Sequence, residues 1–386
     1  MDVICVWTNG AADEKMQQGD KMNVLSIGGR YKPTNGGNAK RISSMCEMFR
    51  QFGHNVTVMT TDCFGNASES EEIEGVFVQR YADAKTLAEC VPLVTKSRDI
   101  DVILVHQEAY LRMLRFRNIK LPLFYECHAI EPNPNKYKER LLKFLRKFYL
   151  NKRFVKGVFV LSKNAVREFS SQFNYPEERI YWTPNGFSLS QQENHDMHFG
   201  ENQTFIYGYG GTLYTFQGIE NILTYSKDIL AIADDVRLMI VGGGPLEQTV
   251  RRYVEENDLS ERVILTGAVD SEKFDALMAT FDVMLMPRPS QPSTESAVPL
   301  KIFDAAKHKK PVVMSNVSGL TEAFSDSAAL IYDVNQPGDF VTCCQKIYRN
   351  RPLAEALVLG ELEAMRNWPS VEDVAKMQAK AMEDQL

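Results

Sequence analysis

The residues best suited to chemistry gather in one run. Met286–Ala306 reads MPRPSQPSTESAVPLKIFDAA and leads from an apolar strand pattern into a helix pattern. Arg288 can grip a phosphate through two parallel N–H bonds. Glu295, Lys301 and Asp304 surround the expected helix start, with Pro299 just before it. Acidic groups repel phosphate and suit sugar or ribose hydroxyls better. Taken singly, each charge also reads as a solvated surface residue. Their grouping at the carboxyl end of a parallel strand, where α/β folds place ligands, favours a site.

Three glycine loops accompany this run. Gly28-Gly29 closes a first strand, and Thr34-Asn35-Gly36-Gly37 opens a first helix. Tyr209-Gly210-Gly211-Thr212, with Gln217-Gly218 behind it, and Val241-Gly242-Gly243-Gly244-Pro245 stand at two later strand-to-helix turns. Glycines let a ligand approach the backbone, and a helix N-terminus offers unpaired N–H groups and partial positive charge. A phosphate cradle and a plain tight turn both fit each loop. A dinucleotide fingerprint fails from either Gly208 or Gly242, because Leu213 and Glu247 hold the last glycine's place. No Walker A sequence occurs.

His106 and His128 both end expected strands, where an imidazole can hydrogen-bond a substrate or leaving group near neutral pH. Asp99-Ile100-Asp101 forms a D-x-D, but it directly precedes a strand and reads as a turn or cap. Nothing else in the sequence resembles a metal cage, and no metal is expected.

The elements that position these residues are legible. Thirteen short apolar, β-branched runs alternate with helical patterns. They are Val24–Ile27, Val56–Thr60, Val76–Arg80, Val102–His106, Leu123–Cys127, Val158–Leu161, Ile180–Thr183, Phe205–Tyr209, Arg237–Val241, Val263–Thr266, Val283–Met286, Pro311–Met314 and Ala329–Ile331. Such runs suit parallel sheets covered by helices on both faces, and their alternation indicates an α/β doubly wound architecture. Two sheets of six or seven strands account for them. A length of 386 residues agrees with two domains. The polar stretch 188–204 reads as the linker, giving domains at 1–187 and 205–368. An extra edge strand within residues 1–21 is an open reading.

Composition narrows the class. Hydrophobic residues make 44% and charged residues 24%, a globular balance. A net charge of −6 gives no support to a nucleic-acid partner. Seven cysteines without a C-x-x-C fit a reducing cytosol. No secretory leader or spanning helix is expected. One segment departs from the acidic whole. Residues 136–156 carry a local charge of +8, and Leu141, Phe144, Leu145 and Phe148 form a stripe between the charges. Lys143, Arg146 and Lys147 are the candidates for an anionic membrane surface or a lipid-linked acceptor. Packing of the stripe on the first sheet is the alternative, and both can hold for one helix.

Taken together, RLMIVGGGPLEQTV, VPLKIFDAAKHKKPVV, TPNGF and YGYGGTLYTFQGIENIL resemble family 4 retaining glycosyltransferases of the GT-B fold. The likeness extends over nearly the whole chain from Met22. It implies two Rossmann-like domains facing across a cleft. The first would bind the acceptor and the second a nucleoside-diphosphate sugar, UDP- or GDP-linked. A helix within 369–386 would cross back to the first domain. By the same resemblance, Gly37 and Gly211 lie near the donor diphosphate, and His128 lies beside the transferred sugar. Gly244 and Val269 contact the base, and Asp304 takes the ribose. The family needs no metal, and its acceptor here is expected to be a glycan or lipid-linked glycan of surface polysaccharide synthesis. A cytoplasmic enzyme, peripheral on the inner membrane face, is the implied setting.

This chain also departs from the family pattern. Thr212 and Gln217 stand where many members carry Arg and Lys. Ser296 stands at the usual first glutamate, with Glu295 one place off, and Asp304 replaces the second. Arg288 and Lys301 are expected to supply the missing positive charge. A sugar-nucleotide epimerase on the same fold and a non-catalytic sugar-nucleotide-binding subunit are the competing readings.

Overall fold

The computed structural model describes residues 21–34, 36–61, 70–130, 135–187, 197 and 199–386. The possible edge strand in residues 1–20 and most of the expected linker, 188–196, lie outside them. Fourteen strands are present among the described residues, in two sheets.

The first sheet contains β1 (Asn23–Gly28), β2 (Asn55–Thr60), β3 (Ser70–Ile73), β4 (Val76–Arg80), β5 (Val102–Val105), β6 (Leu123–Cys127), β7 (Val155–Val160) and β8 (Ile180–Trp182). Its order is β3-β4-β2-β1-β5-β6-β7-β8, with every pairing parallel except β3–β4. The second contains β9 (Phe205–Gly210), β10 (Val236–Val241), β11 (Val263–Gly267), β12 (Val283–Met286), β13 (Val312–Ser315) and β14 (Ala329–Tyr332). Its order is β11-β10-β9-β12-β13-β14, all parallel. All thirteen expected strands are there.

The strand the sequence reading missed is β3. Its residues, SEEI, are polar and mostly exposed, so the apolar signal is absent. It pairs antiparallel with β4 through Glu74-Gly75, both at positive φ, as a two-residue hairpin requires. A charged edge strand also discourages pairing with other chains.

The first half carries helices α1 (Gly37–Gln51), α2 (Ala84–Ser97), α3 (Glu108–Leu114), α4 (Lys136–Tyr149) and α5 (Lys163–Phe173). The second carries α6 (Ile219–Thr224), α7 (Ser226–Leu230), α8 (Glu247–Glu256), α9 (Ser271–Ala279), α10 (Pro292–Glu295), α11 (Lys301–Lys307), α12 (Ser318–Thr321), α13 (Asp339–Ile347) and α14 (Arg351–Arg366). Helix periodicity fixes the buried faces. Ile42, Met45, Cys46 and Phe49 of α1 all enter the core. Phe199, in the polar stretch read as linker, is buried against the second core.

The last helix, α15 (Val371–Glu383), starts at a Ser370/Asp373 capping box and packs on α1 with Val374, Ala375, Ala379 and Met382. Gly186 makes that return path possible. A Cβ there would stand 2.4 Å from the Val371 Cα. Trp368 Nε1 also donates to the Asn185 carbonyl at 2.8 Å.

Helix α4 corrects one reading. Arg146 does not face outward. It is buried, with Nε 2.8 Å from Glu108 and Nη1 2.7 Å from Glu139. Its position on the helix turns it towards α3 and α5, where Glu108 and Glu139 neutralise it and the Phe173 ring lies 4.9 Å from its guanidinium. Lys143 and Lys147 are exposed, as are Tyr137 (88%), Leu141 (58%), Phe144 (57%) and Phe148 (51%). Leu145 alone of the stripe packs inward.

Candidate active site

Each sheet reverses its winding once, between β1 and β5 and between β9 and β12. Such switch points open crevices at the carboxyl ends of the strands. Gly28, His106 and His128 end strands of the first sheet there. Gly211 and Arg288 follow β9 and β12 in the second.

The turns after β9, β10 and β11 are stitched together by backbone. Gly211 N donates to Val241 O at 2.9 Å, and Gly242 N donates to Gly267 O at 3.1 Å. Gly211, Gly242 and Gly244 have φ of 135°, 129° and 153°. A side chain at Gly242 would lie 2.1 Å from the Gly211 carbonyl. The chain needs glycine here for close approach. Val269, just past β11, is half-buried in the same region.

Lys301 and Arg288 are buried cations. Lys301 Nζ donates to the Tyr209 hydroxyl at 2.9 Å and lies 4.1 Å from that ring's centroid. It also lies 3.3 Å from where a Gly211 Cβ would be. Burial, with Arg288 beside it, holds the ammonium well below its ordinary value. Arg288 donates from Nη1 to the Ala297 carbonyl at 3.3 Å, while its buried Nε has no partner. Burial lowers its guanidinium to about 10. Among the described residues, neither cation has a carboxylate in salt-bridge range. Two buried cations with no carboxylate in direct contact among the described residues, and only Asp304 and Glu295 acting at longer range, make a receptacle for an anion.

The other candidates are distributed around it. Asp304, on α11, has its carboxyl pushed up to about 6 by burial, against the pull of Lys40 from the first half. Gly37 opens α1, and a Cβ there would stand 3.6 Å from Leu300 Cδ1, beside Pro299. Gln217 has a buried Oε1 without a partner. Thr212 is exposed on the β9 turn. Glu295 is the exception. Its Oε2 accepts from the Ser318 N–H at 2.7 Å and from the Ser318 hydroxyl, and its Oε1 from Ser290 at 2.7 Å. The carboxylate anchors α12 and does not stand free for a ligand. Ser296, at the neighbouring position, bonds across the halves: Ile130 N donates to its Oγ at 3.1 Å.

On the first sheet, His106, Glu126 and His128 place ligand atoms within 4.8 Å of one another. The sequence reading did not assemble this cluster, because β5 and β6 join it across the sheet. Its donors are engaged. Glu126 Oε2 accepts from His106 Nδ1 at 2.7 Å, and Oε1 from Arg41 Nη2 at 2.8 Å. A guanidinium on the carboxylate repels a second cation, so the set does not fit a metal ion. The D-x-D is also occupied: Asp101 Oδ2 accepts from the Asn23 N–H at 2.7 Å, at the opposite end of the strands.

Arg41, Glu126, Tyr209 and Asn185 were not singled out from sequence as site residues. A glutamate inside the apolar run LFYEC was the available signal, since an interior strand charge must be paired.

The comparisons bear on the family and the fold. The family described as "Glycosyltransferase Family 4" matches residues 35–191, and "Glycosyl transferases group 1" matches 204–350. The 2-deoxystreptamine glucosyltransferase of Streptomyces kanamyceticus is 24% identical over 164 residues, 42% of this chain and 40% of that protein. The chain spans 40% and 58% of the lengths of two curated relatives it matches. Sucrose-phosphate synthase from Thermosynechococcus elongatus superposes with a TM-score of 0.73 at 15% identity, over 95% of this chain and 99% of that one. Anabaena HepE in complex with UDP-glucose gives 0.72 at 14% identity, over 94% and 100%. Two family matches that together cover most of the chain, and two sheets with the GT-B arrangement, place this chain in the family 4 glycosyltransferases, a retaining family.

Proposed function

We propose that the chain transfers a sugar from a UDP- or GDP-sugar to a glycan or lipid-linked glycan acceptor of surface polysaccharide synthesis. The observation that carries this reading is the uncompensated pair Arg288 and Lys301 beside the Gly211 turn. A nucleoside diphosphate is the anion that fits a site also offering Asp304 for ribose hydroxyls and glycine turns at Gly211 and Gly244.

In this reading the bond between the anomeric carbon and the diphosphate oxygen breaks through an oxocarbenium-like state. Arg288, Lys301 and the N–H groups after Pro299 stabilise the charge that grows on the leaving oxygen. His128 lies against the transferred sugar. The acceptor hydroxyl attacks from the leaving-group face, which retains configuration, and its proton passes to the departing phosphate. Contacts such as Ile130–Ser296 and Lys163–Glu322 hold the halves together and limit water entry. The positive side chains take the place a metal fills elsewhere, so no metal is proposed.

The acceptor reading rests on α4. Its exposed Tyr137, Leu141, Phe144 and Phe148 alternate with Lys143 and Lys147, a composition suited to an anionic bilayer surface. Phe116, 82% exposed, lies at the same edge, where Arg115 Nε donates to the Phe148 carbonyl at 2.8 Å. No described helix is long and apolar enough to cross a membrane.

The test is donor turnover by the purified chain. UDP- and GDP-sugars are supplied with and without membrane extract as acceptor, and with and without EDTA. Acceptor-dependent release of nucleoside diphosphate, unaffected by EDTA, supports the proposal. Turnover of donor without acceptor points to an epimerase. Binding without turnover points to a non-catalytic subunit.

A further inference from the structure

Glu126 is a fully buried carboxylate on the sixth strand, and its contacts join Arg41, His106 and His128 of the first half to Gln378 of the last helix. Its Oε1 accepts from Arg41 Nε at 3.0 Å, Arg41 Nη2 at 2.8 Å and Gln378 Nε2 at 2.7 Å. Its Oε2 accepts from His106 Nδ1 at 2.7 Å and lies 3.3 Å from His128 Nε2. Burial opposes its charge, but Arg41 and the two imidazoles outweigh that and hold the carboxyl well below its ordinary value. An ionised carboxylate only accepts. His106 therefore carries its proton on Nδ1, and its Nε2 faces the Ser26 hydroxyl at 2.9 Å. The lone pair left on Oε2 faces His128, whose Nε2 is buried and has no aligned partner.

The second arm runs through Arg41. Its Nη1 donates to the Pro184 carbonyl at 2.6 Å and to Asn185 Oδ1 at 3.3 Å, and its Nη2 to the Thr183 carbonyl at 2.8 Å. Asn185 Nδ2 then donates to the Val298 carbonyl at 2.9 Å. Val298 opens the segment Val298-Pro299-Leu300-Lys301 that delivers Lys301 to the Gly211 turn. One hydrogen-bonded line thus joins the His106 imidazole and Glu126 on the first sheet to the loop that carries Lys301, and His128 Nε2 stands 3.3 Å from the same carboxylate.

We infer that Glu126 is the positioning residue of His128, and that Arg41 and Asn185 tie that orientation to the seating of the Val298–Lys301 loop. The inference rests on the proposed transferase reading of the site. The Glu126 carboxylate, an acceptor only and 3.3 Å from His128 Nε2, favours a proton on that nitrogen and leaves Nδ1 as the acceptor once the imidazole aligns with it. When the loop moves with the second half, Asn185 loses the Val298 carbonyl and Arg41 loses one of its restraints. His128 is then set for reaction only while the loop is seated.

Two variants separate this from a merely structural role. Asn185→Asp keeps the volume and the Arg41 contact but cannot donate to Val298. It is expected to lower kcat about tenfold while donor KM changes less than about threefold. Glu126→Gln is expected to lower kcat at least about tenfold and to shift the His128 ring ¹⁵N resonances away from the Nε2–H pattern. Spectra of the ¹⁵N-histidine-labelled protein report the tautomer whether or not any donor turns over, so the inference is judged even if the transferase reading fails. If Glu126→Gln fails to fold, Asn185→Asp supplies both readouts. Unchanged His128 resonances with kcat within about twofold of the parent overturn the inference. So does a rise in donor KM at constant kcat, which would make Asn185 a donor-loop residue only.

Discussion

Lys301 Nζ lies 2.9 Å from the Tyr209 hydroxyl and 4.1 Å from the centre of the same ring. The ring and hydroxyl accept the ammonium with no carboxylate in direct contact among the described residues, Asp304 acting only at longer range. Arg288 adds a second cation to the same wall. Both residues come from the β12–α11 segment, whereas the family's usual cations sit on the first turn of the second half, here Thr212 and Gln217. In the proposed reading, the donor grip lies on the β12–α11 segment rather than on the β9 turn.

Removing either cation tests that relocation. Lys301→Met and Arg288→Ala are each expected to lower donor turnover about 100- to 1000-fold, the range seen when a charge-stabilising donor is lost. Thermal stability should stay level or rise, because a buried cation without a counter-ion is replaced by a shorter or apolar side chain. Turnover within twofold of the parent in both variants would show that the charge comes from elsewhere.

Donor binding should take up a proton. Burial, with Arg288 nearby, depresses the Lys301 ammonium well below its ordinary value in the empty site. A bound diphosphate opposes that pull and raises the value again, so protons enter with the ligand at any pH between the free and bound values. Calorimetric titration of UDP or GDP in buffers of different ionisation enthalpy reads this directly. Lys301→Met should abolish the uptake.

Asp304 gives a pH signature of two opposite signs. Its folded value, about 6, lies above the ordinary 3.8, so its ionised form costs stability. That cost is complete above pH 6 and disappears as pH falls towards 4. Asp304→Asn should therefore raise stability at neutral pH, by up to about 3 kcal/mol, and flatten the melting profile in that window. If Asp304 takes the ribose hydroxyls as proposed, its ionised form accepts them more strongly than the acid, so donor affinity of the parent should weaken below pH 6. Melting curves and titrations at pH 4.5, 6 and 7.5 check both signs.

The two faces of α4 should respond differently. Replacing Leu141, Phe144 and Phe148 by serine should remove sedimentation with anionic liposomes at low salt, with little change in melting. Arg146→Ala takes the guanidinium from Glu108 and Glu139, leaves Tyr149 on Glu108, and should cost roughly 1–3 kcal/mol. Failure of the parent chain to pellet with such liposomes would remove the membrane part of the account.

The strands and their division into two sheets were legible because buried parallel strands are nearly continuous apolar runs. The edge strand β3 was not, since its SEEI pattern owes its strand state to a hairpin turn. Lys301 and Arg288 were readable as chemistry-bearing groups in one segment. Glu295 was misleading, because only the fold brings Ser318 onto its carboxylate. Arg146 was misleading in the same way: nine basic residues within 136–156 look alike in sequence, and helix phase selects the one that turns inward. Arg41, Glu126 and Asn185 are far apart in sequence, and their line appears only once the strands are side by side.

The most direct test of the central claim is the affinity of UDP and GDP, each against its monophosphate, for the parent chain and for Lys301→Met and Arg288→Ala. One nucleoside diphosphate should bind at least about tenfold more tightly than its monophosphate, a gap of about 1.4 kcal/mol or more. Each variant should shrink that gap. Equal affinities for diphosphate and monophosphate in the parent, or an undiminished gap in both variants, would contradict a diphosphate held by Arg288 and Lys301.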